Sequence, residues 1–200
     1  MNVDSIATLA AALAGGAACA TSILATHRRV EILALLVQFA GTAVLLLGIP
    51  LAMAIAYAAV GLSVTAILAV TPKPEGSGEA GEASGLPSGL VFRTVSVLLV
   101  SLAAGALGLG VLGDLPGITP GQSLGAGLLF GLGLLHVGLS EEPLHVGAGL
   151  VAMLGGFQIG YAAVEPSVAL HALLIAMPVL IAVVVAYLSL LTPAAPESRL

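Results

Sequence analysis

The sequence predicts an all-α, polytopic membrane bundle of about seven transmembrane helices, and three observations predict it. Hydrophobic residues make up 59% of the 200 residues, charged residues only 8%, and the mean hydropathy is +1.18. A water-soluble domain carries about 25% charged residues. This chain cannot cover a water-facing surface, so a bilayer must be its main solvent. Its apolar residues also fall into seven runs separated by short polar or Pro-containing breaks. Finally, all five Lys and Arg residues fall on one side when the seven runs are threaded through a membrane.

A spanning helix needs about 20 mostly apolar residues at a rise of about 1.5 Å each. The runs are 5–26, 31–48, 51–70, 90–112, 123–140, 144–164 and 167–191. The charged stretch HRRVE, residues 27–31, divides the first two. Gly48 and Pro50 interrupt the apolar run before the third, because Pro lacks an N–H and clashes with a continuing helix. These two runs are therefore read either as separate helices or as one kinked element. DLPGITPGQ precedes the fifth run, EEP the sixth and EPS the seventh. Residues 72–89, PKPEGSGEAGEASGLPSG, read as a flexible aqueous linker. The organisation is then a first three-helix unit over 1–71, the linker, a four-helix unit over 90–193, and a tail over 194–200.

With the N-terminus outside, Arg28 and Arg29 follow the first run and Lys73 follows the third. Arg93 opens the fourth and Arg199 follows the seventh, so every basic residue is inside. Basic residues near span ends are retained on the cytoplasmic side, where they also meet anionic lipid. A six-run threading would split them across the membrane. The expectation is N-out/C-in in a prokaryotic plasma membrane, with Arg28, Arg29, Lys73 and Arg93 as topology anchors. Arg93 is expected to snorkel to the inner headgroups.

The net charge of −5 comes from acids clustered in linkers, and nothing is basic enough to suggest nucleic acid. The single Cys19 cannot form an internal disulfide. The sequence shows no nucleophile–base pair, no Gly-rich phosphate loop followed by Lys, and no paired His at haem spacing. It reads as no enzyme on its own, with no cofactor.

Polar groups inside a membrane are costly and need partners. Gln38 lies in the middle of the second run and reads as an interhelical hydrogen bond. Gln158, Tyr161 and Glu165 recur at i, i+3 and i+7, as on one face of the sixth helix. A polar helix seam is one reading of them, and an outer proton or ion entry path is another. His136 and His145 bracket Glu141 and Glu142 and read as interfacial histidines beside solvated acids, with no metal signature. His171 also reads as interfacial. The 26 glycines include Gly121/Gly125, Gly127/Gly131 and Gly156/Gly160 at GxxxG spacing. Small residues let helix backbones approach closely in lipid, so the fourth to sixth helices are expected to pack tightly, with little internal volume. Trp is absent and aromatic residues are 4%, which points to protein neighbours in place of a full aromatic belt.

The two ends of the chain repeat one another. Runs one to three read helix, charged loop, helix, Pro-marked break, helix, TP. Runs five to seven read helix, EEPLH, helix, EPS, helix, TP again at Thr192–Pro193. This suggests a parallel duplication of a three-helix unit. In this outline, over the whole chain, the sequence resembles the NuoK/MrpC-type small subunits of complex I and Mrp antiporters. It also resembles their longer relative, the NuoK-like small membrane component of hydrogenase-4-type complexes. RVEILALLVQ, Arg29 to Gln38, is similar to the family's Arg-to-Gln spacing on its second helix. GLLFGLGLLHVGLSEEPLHVGAGLVAMLGGFQIGYA stands where the family has a Gly/Leu-rich helix, a short inner loop and a polar helix. The resemblance implies an accessory or scaffold subunit of an energy-converting, ion-translocating complex, partnered by lipid and other membrane subunits. The family's buried carboxylate is missing: AMLGGFQIG has Gly155 and Gly156 at the corresponding place. A self-contained small transporter or channel, or a membrane interaction protein of unknown role, are the alternatives.

Overall fold

A computed structural model describes residues 3–25, 27–48, 51–71, 89–165 and 167–191. Among these residues there are seven α-helices and no strands. They are α1 (Val3–Leu24), α2 (Arg28–Leu45), α3 (Leu51–Val70), α4 (Leu90–Leu107), α5 (Pro120–Gly138), α6 (Pro143–Ala162) and α7 (Val168–Leu191). Six are long and apolar enough to cross a membrane, and the protein is a multi-pass membrane bundle. The exception is α2, whose 18 residues include Arg28, Arg29 and Glu31.

Helix ends differ from the apolar runs where backbone capping, and not hydropathy, sets the boundary. The fifth helix starts at Pro120, three residues before its apolar run. Thr119 is the N-cap, its hydroxyl accepts the N–H of Gln122, and the Gln122 side chain accepts the N–H of Thr119. Such a capping box satisfies two orphan donors at once, and Pro suits the first helical position. Gln122 reaches further, donating from Nε2 to the carbonyl of Leu45 at 2.9 Å, which ties the start of α5 to the end of α2. At the other extreme, α2 includes Arg28 and Arg29, which hydropathy had left in a loop. The last turn of α4 widens into a π-helical turn over Gly108–Leu112. Gly117, in the turn that follows, has φ +88°, a left-handed conformation that glycine adopts without steric cost.

The helices close a ring in the order α1, α2, α3, α7, α6, α5, with α2 also touching α6 and α5 across it. α4 lies outside the ring against α5 and α1. The core is one continuous apolar cluster that includes Leu35, Phe39, Tyr57, Leu129, Val151 and Ile159. Large apolar side chains on the outer faces, such as Leu98, Leu102, Leu173 and Leu180, are exposed, as a lipid-facing surface requires.

Polar contacts define two ends. Arg28, Glu31, Thr71, Arg93, His136 and His145 gather at one, here the arginine end. Thr8, Leu45, Gln122, Tyr161 and His171 mark the opposite end. All three described basic residues, Arg28, Arg29 and Arg93, thus lie at one end. Lys73, Arg199, most of the 72–89 linker and Thr192–Pro193 fall outside the described residues.

Glycines set the closest helix approaches. A Cβ on Gly156 would lie 2.5 Å from the backbone nitrogen of Phe130 and 2.6 Å from the carbonyl of Ala126, both on α5. Gly133 and Gly149 face one another across the same α5–α6 contact, each against the other's carbonyl. Gly121 abuts Thr8 of α1, Gly125 abuts Leu45 of α2, and Gly127 and Gly131 abut Ala104 of α4. Gly160 has ordinary contacts only, the nearest being Leu112 at 3.7 Å. α4 stands off from α6, and an apolar groove of about 1030 Å³ between them runs from Gly138 to Val164, lined by residues such as Leu107, Phe130 and Phe157.

Candidate functional site

The polar side chains inside the bundle form three groups along its axis. The first is at the arginine end. Glu31, in the first turn of α2, is 4% exposed, and His145, in the first turn of α6, faces it. His145 Nε2 is 3.6 Å from Glu31 Oε2, and Nδ1 is 3.1 Å from Glu142 Oε2. Glu142 is the N-cap residue of α6. His136, near the end of α5, is 1% exposed, and its ring lies edge-on to that of His145 with centroids 5.8 Å apart. Arg93 of α4 lies close enough to act electrostatically on both imidazoles. His136 is therefore buried inside the bundle at this end, and His145 pairs with a carboxylate from the other half of the chain. Among the described residues no three His, Cys, Asp or Glu side chains are placed to hold a metal ion.

Arg28 lies beside this group but turns to α3. Its guanidinium donates to the carbonyls of Leu68, Ala69 and Thr71. The last carbonyls of a helix have no intrahelical donor, and a cation there also meets the negative end of the helix dipole. Arg28 thus caps α3, a role its hydropathy context did not suggest. Arg29 is exposed and Arg93 half-buried.

The second group lies in the middle. Tyr57 of α3, 1% exposed, hydrogen-bonds the side chain of Thr42, which donates to the carbonyl of Gln38 at 3.0 Å. Phe39 packs on the Tyr57 ring, with centroids 5.4 Å apart. The Tyr57 hydroxyl lies 2.9 Å from where a Cβ on Gly155 would sit. The position where the resemblance anticipates a carboxylate therefore has its space filled by a tyrosine from α3. Buried apolar residues, among them Leu35 of α2 and Ala148, Val151 and Ala152 of α6, separate this group from the arginine end.

The third group is at the opposite end. Gln158 is fully buried, and neither amide atom has a hydrogen-bond partner among the described residues. Tyr161 stacks on Phe157 and meets the ring of His171, with centroids 5.5 and 5.8 Å apart. His171 is 2% exposed, and its Nδ1 is 2.9 Å from the carbonyl of Ser167. α6 ends at Ala162, and Glu165 lies in the turn beyond it, its N–H donating to the carbonyl of Tyr161 at 3.0 Å. Its carboxylate accepts the backbone N–H of Ser167 at 3.1 Å, at the start of α7. His171, buried against Tyr161, takes the place in this group that the spacing had given to Glu165.

No protein-family model, curated protein or solved structure matches the chain.

Proposed function

We propose that this protein is an accessory, scaffold-type membrane subunit of an energy-converting, ion-translocating complex of the hydrogenase-4, complex I or Mrp kind. The observation that carries the reading is the pairing of helices that the repeat makes equivalent. α1 packs on α5, α2 on α6 and α3 on α7. That pattern supports two parallel three-helix units related about an axis through the bundle, with α4 outside as the connector. It supports seven spans, α2 included, since α2 runs beside α6 and its Glu31 meets His145 at the same level. The three arginines at one end support placing that end in the cytoplasm, which gives N-out and C-in.

Two features favour support over conduction. The α5–α6 contact is closed by backbone against backbone at Gly133, Gly149 and Gly156. The titratable groups at the arginine end are separated from the middle polar group by buried apolar side chains. A second reading, a self-contained small transporter, is favoured by one observation: Gln158 and His171 keep buried polar atoms without partners among the described residues. Isolation from the native membrane in mild detergent separates the two. The scaffold reading expects larger antiporter-like membrane chains to co-purify in fixed ratio. A protein that comes out alone, stable and homo-oligomeric would favour the transporter.

A further inference from the structure

We infer that Glu31, His145 and Glu142 form a proton-binding site that tethers the first three-helix unit to the second and exchanges its proton with the aqueous phase through Glu142. The inference rests on the arrangement of donors and acceptors, and it stands whether or not the chain belongs to an ion-translocating complex. Both imidazole nitrogens of His145 face carboxylate oxygens, Nδ1 at 3.1 Å and Nε2 at 3.6 Å. A neutral imidazole has one N–H and one lone pair. With both carboxylates ionised, that lone pair would point at an anionic oxygen in a site where the Glu31 side chain is only 6% exposed. A lone pair that faces an anionic oxygen is repelled by it, and that repulsion is poorly screened at a buried position. The contact is satisfied when the three groups together hold one more proton, on the imidazole or on Glu31.

Facing His145 are Glu31 from α2, Arg93 from α4, His136 from α5, and Glu142 from the α5–α6 turn, whose neighbour Glu141 is exposed. Among the described residues, the one titratable side chain that α7 brings to this end is the exposed Tyr187. Arg28 is committed to the α3 carbonyls and Arg29 is exposed. Among the described residues, Arg93 is the cation that acts on His145 together with the two carboxylates. A second polar group lies beside the same site: the His136 ring is 5.8 Å from that of His145, and its Nε2 is buried with no hydrogen-bond partner among the described residues.

The geometry also gives the proton a route. The Glu142 side chain is 27% exposed and can take a proton from water. Its transfer to Nδ1, when Nε2 already carries the ring's one hydrogen, makes the imidazolium. Once Nε2 and Glu31 Oε2 close from 3.6 Å to hydrogen-bond distance, passage of the Nε2 hydrogen to Oε2 leaves a neutral imidazole protonated at Nδ1 and a neutral Glu31 carboxyl. The reverse sequence returns the proton to water through Glu142. One proton moves at each step, and no other reactant is needed.

The test is 15N spectroscopy of the full chain, labelled at its histidines and reconstituted in lipid nanodiscs near neutral pH, with His145→Gln identifying the His145 signals. His145 is expected to carry hydrogen on both nitrogens, and Glu31→Gln to convert it to a neutral tautomer at the same pH, with the exposed His27 signals unchanged. A neutral His145 accompanied by an infrared carboxylic-acid band that Glu31→Gln removes would also support the site, with the proton at its inner end. A wild-type His145 that is neutral without such a band would overturn it. An imidazolium that persists unchanged in both Glu31→Gln and Glu142→Gln would overturn it as well.

Discussion

Gly156→Leu is expected to prevent α5 and α6 from packing, leaving a protein that aggregates or melts far below the wild type in detergent. The atoms in the way are backbone: Phe130 nitrogen at 2.5 Å, Ala126 carbonyl at 2.6 Å and Phe130 Cα at 3.0 Å from an added Cβ. A flexible side chain could rotate aside, but a helix backbone can only move as a unit. Overpacking a close-fitted interior costs about 1–3 kcal/mol and occasionally more, and this contact offers no side-chain relief. In lipid the loss is not recovered by burying apolar surface, because association there depends on close van der Waals approach. Gly127→Leu meets the carbonyl of Ala104 and the backbone of Gly108 and is expected to behave likewise. Gly138→Ala and Gly160→Ala provide the contrast, because an added methyl meets nothing within 4 Å at Gly138 and nothing nearer than 3.7 Å at Gly160. Both should keep wild-type stability within about 1 kcal/mol, the scale of the Gly-to-Ala helix preference. Thermal unfolding followed by size-exclusion profiles reads all four. Normal melting of both Leu variants would contradict the close-approach account.

The second large effect is one of labelling, and it is close to all-or-none. In intact cells, an impermeant thiol reagent is expected to label Asp114→Cys and to leave Ser77→Cys untouched until the membrane is opened. Asp114 is exposed in the turn between α4 and α5, at the end away from the arginines. Ser77 lies in the 72–89 stretch that follows α3, whose last carbonyls Arg28 caps at the arginine end. The native Cys19 is fully buried, so the unchanged background should be silent. The reverse pattern would invert the orientation. Labelling of both from outside would break the assignment of all the basic residues to one side.

Much of the fold was legible because hydropathy and Pro/Gly punctuation act locally. The seven apolar runs correspond to the seven helices to within a few residues. The boundary errors have physical causes: the Thr119–Gln122 capping box starts α5 before its apolar run, and charged Arg28 and Arg29 are helical despite their polarity. The candidate site was much less legible. Glu31 was visible only as part of a charged loop, and His145 only as a neighbour of EEP. Their contact needs α2 to lie parallel and adjacent to α6. The matching places of HRRVE and EEPLH in the two triplets carried that signal, but only once equivalent helices were known to pair. Tyr57 filling the space above Gly155 left no local trace at all, because it comes from α3. Gly133 and Gly149 escaped the GxxxG pattern because neither has a glycine four residues away, Leu129 and Val137 flanking the one and His145 and Met153 the other. His171 was hidden by its position one turn from a helix start, where sequence cannot tell a buried ring from an interfacial one.

On the scaffold reading proposed above, this chain supports translocation by its neighbours and moves no ions itself. Purified full-length protein in liposomes under an imposed pH gradient and membrane potential tests it most directly. The account predicts proton and sodium leak indistinguishable from that of protein-free liposomes, in both orientations of the gradient. Flux well above that level, which Gln158→Leu abolishes while the protein stays folded, would contradict it and make the chain a transporter in its own right.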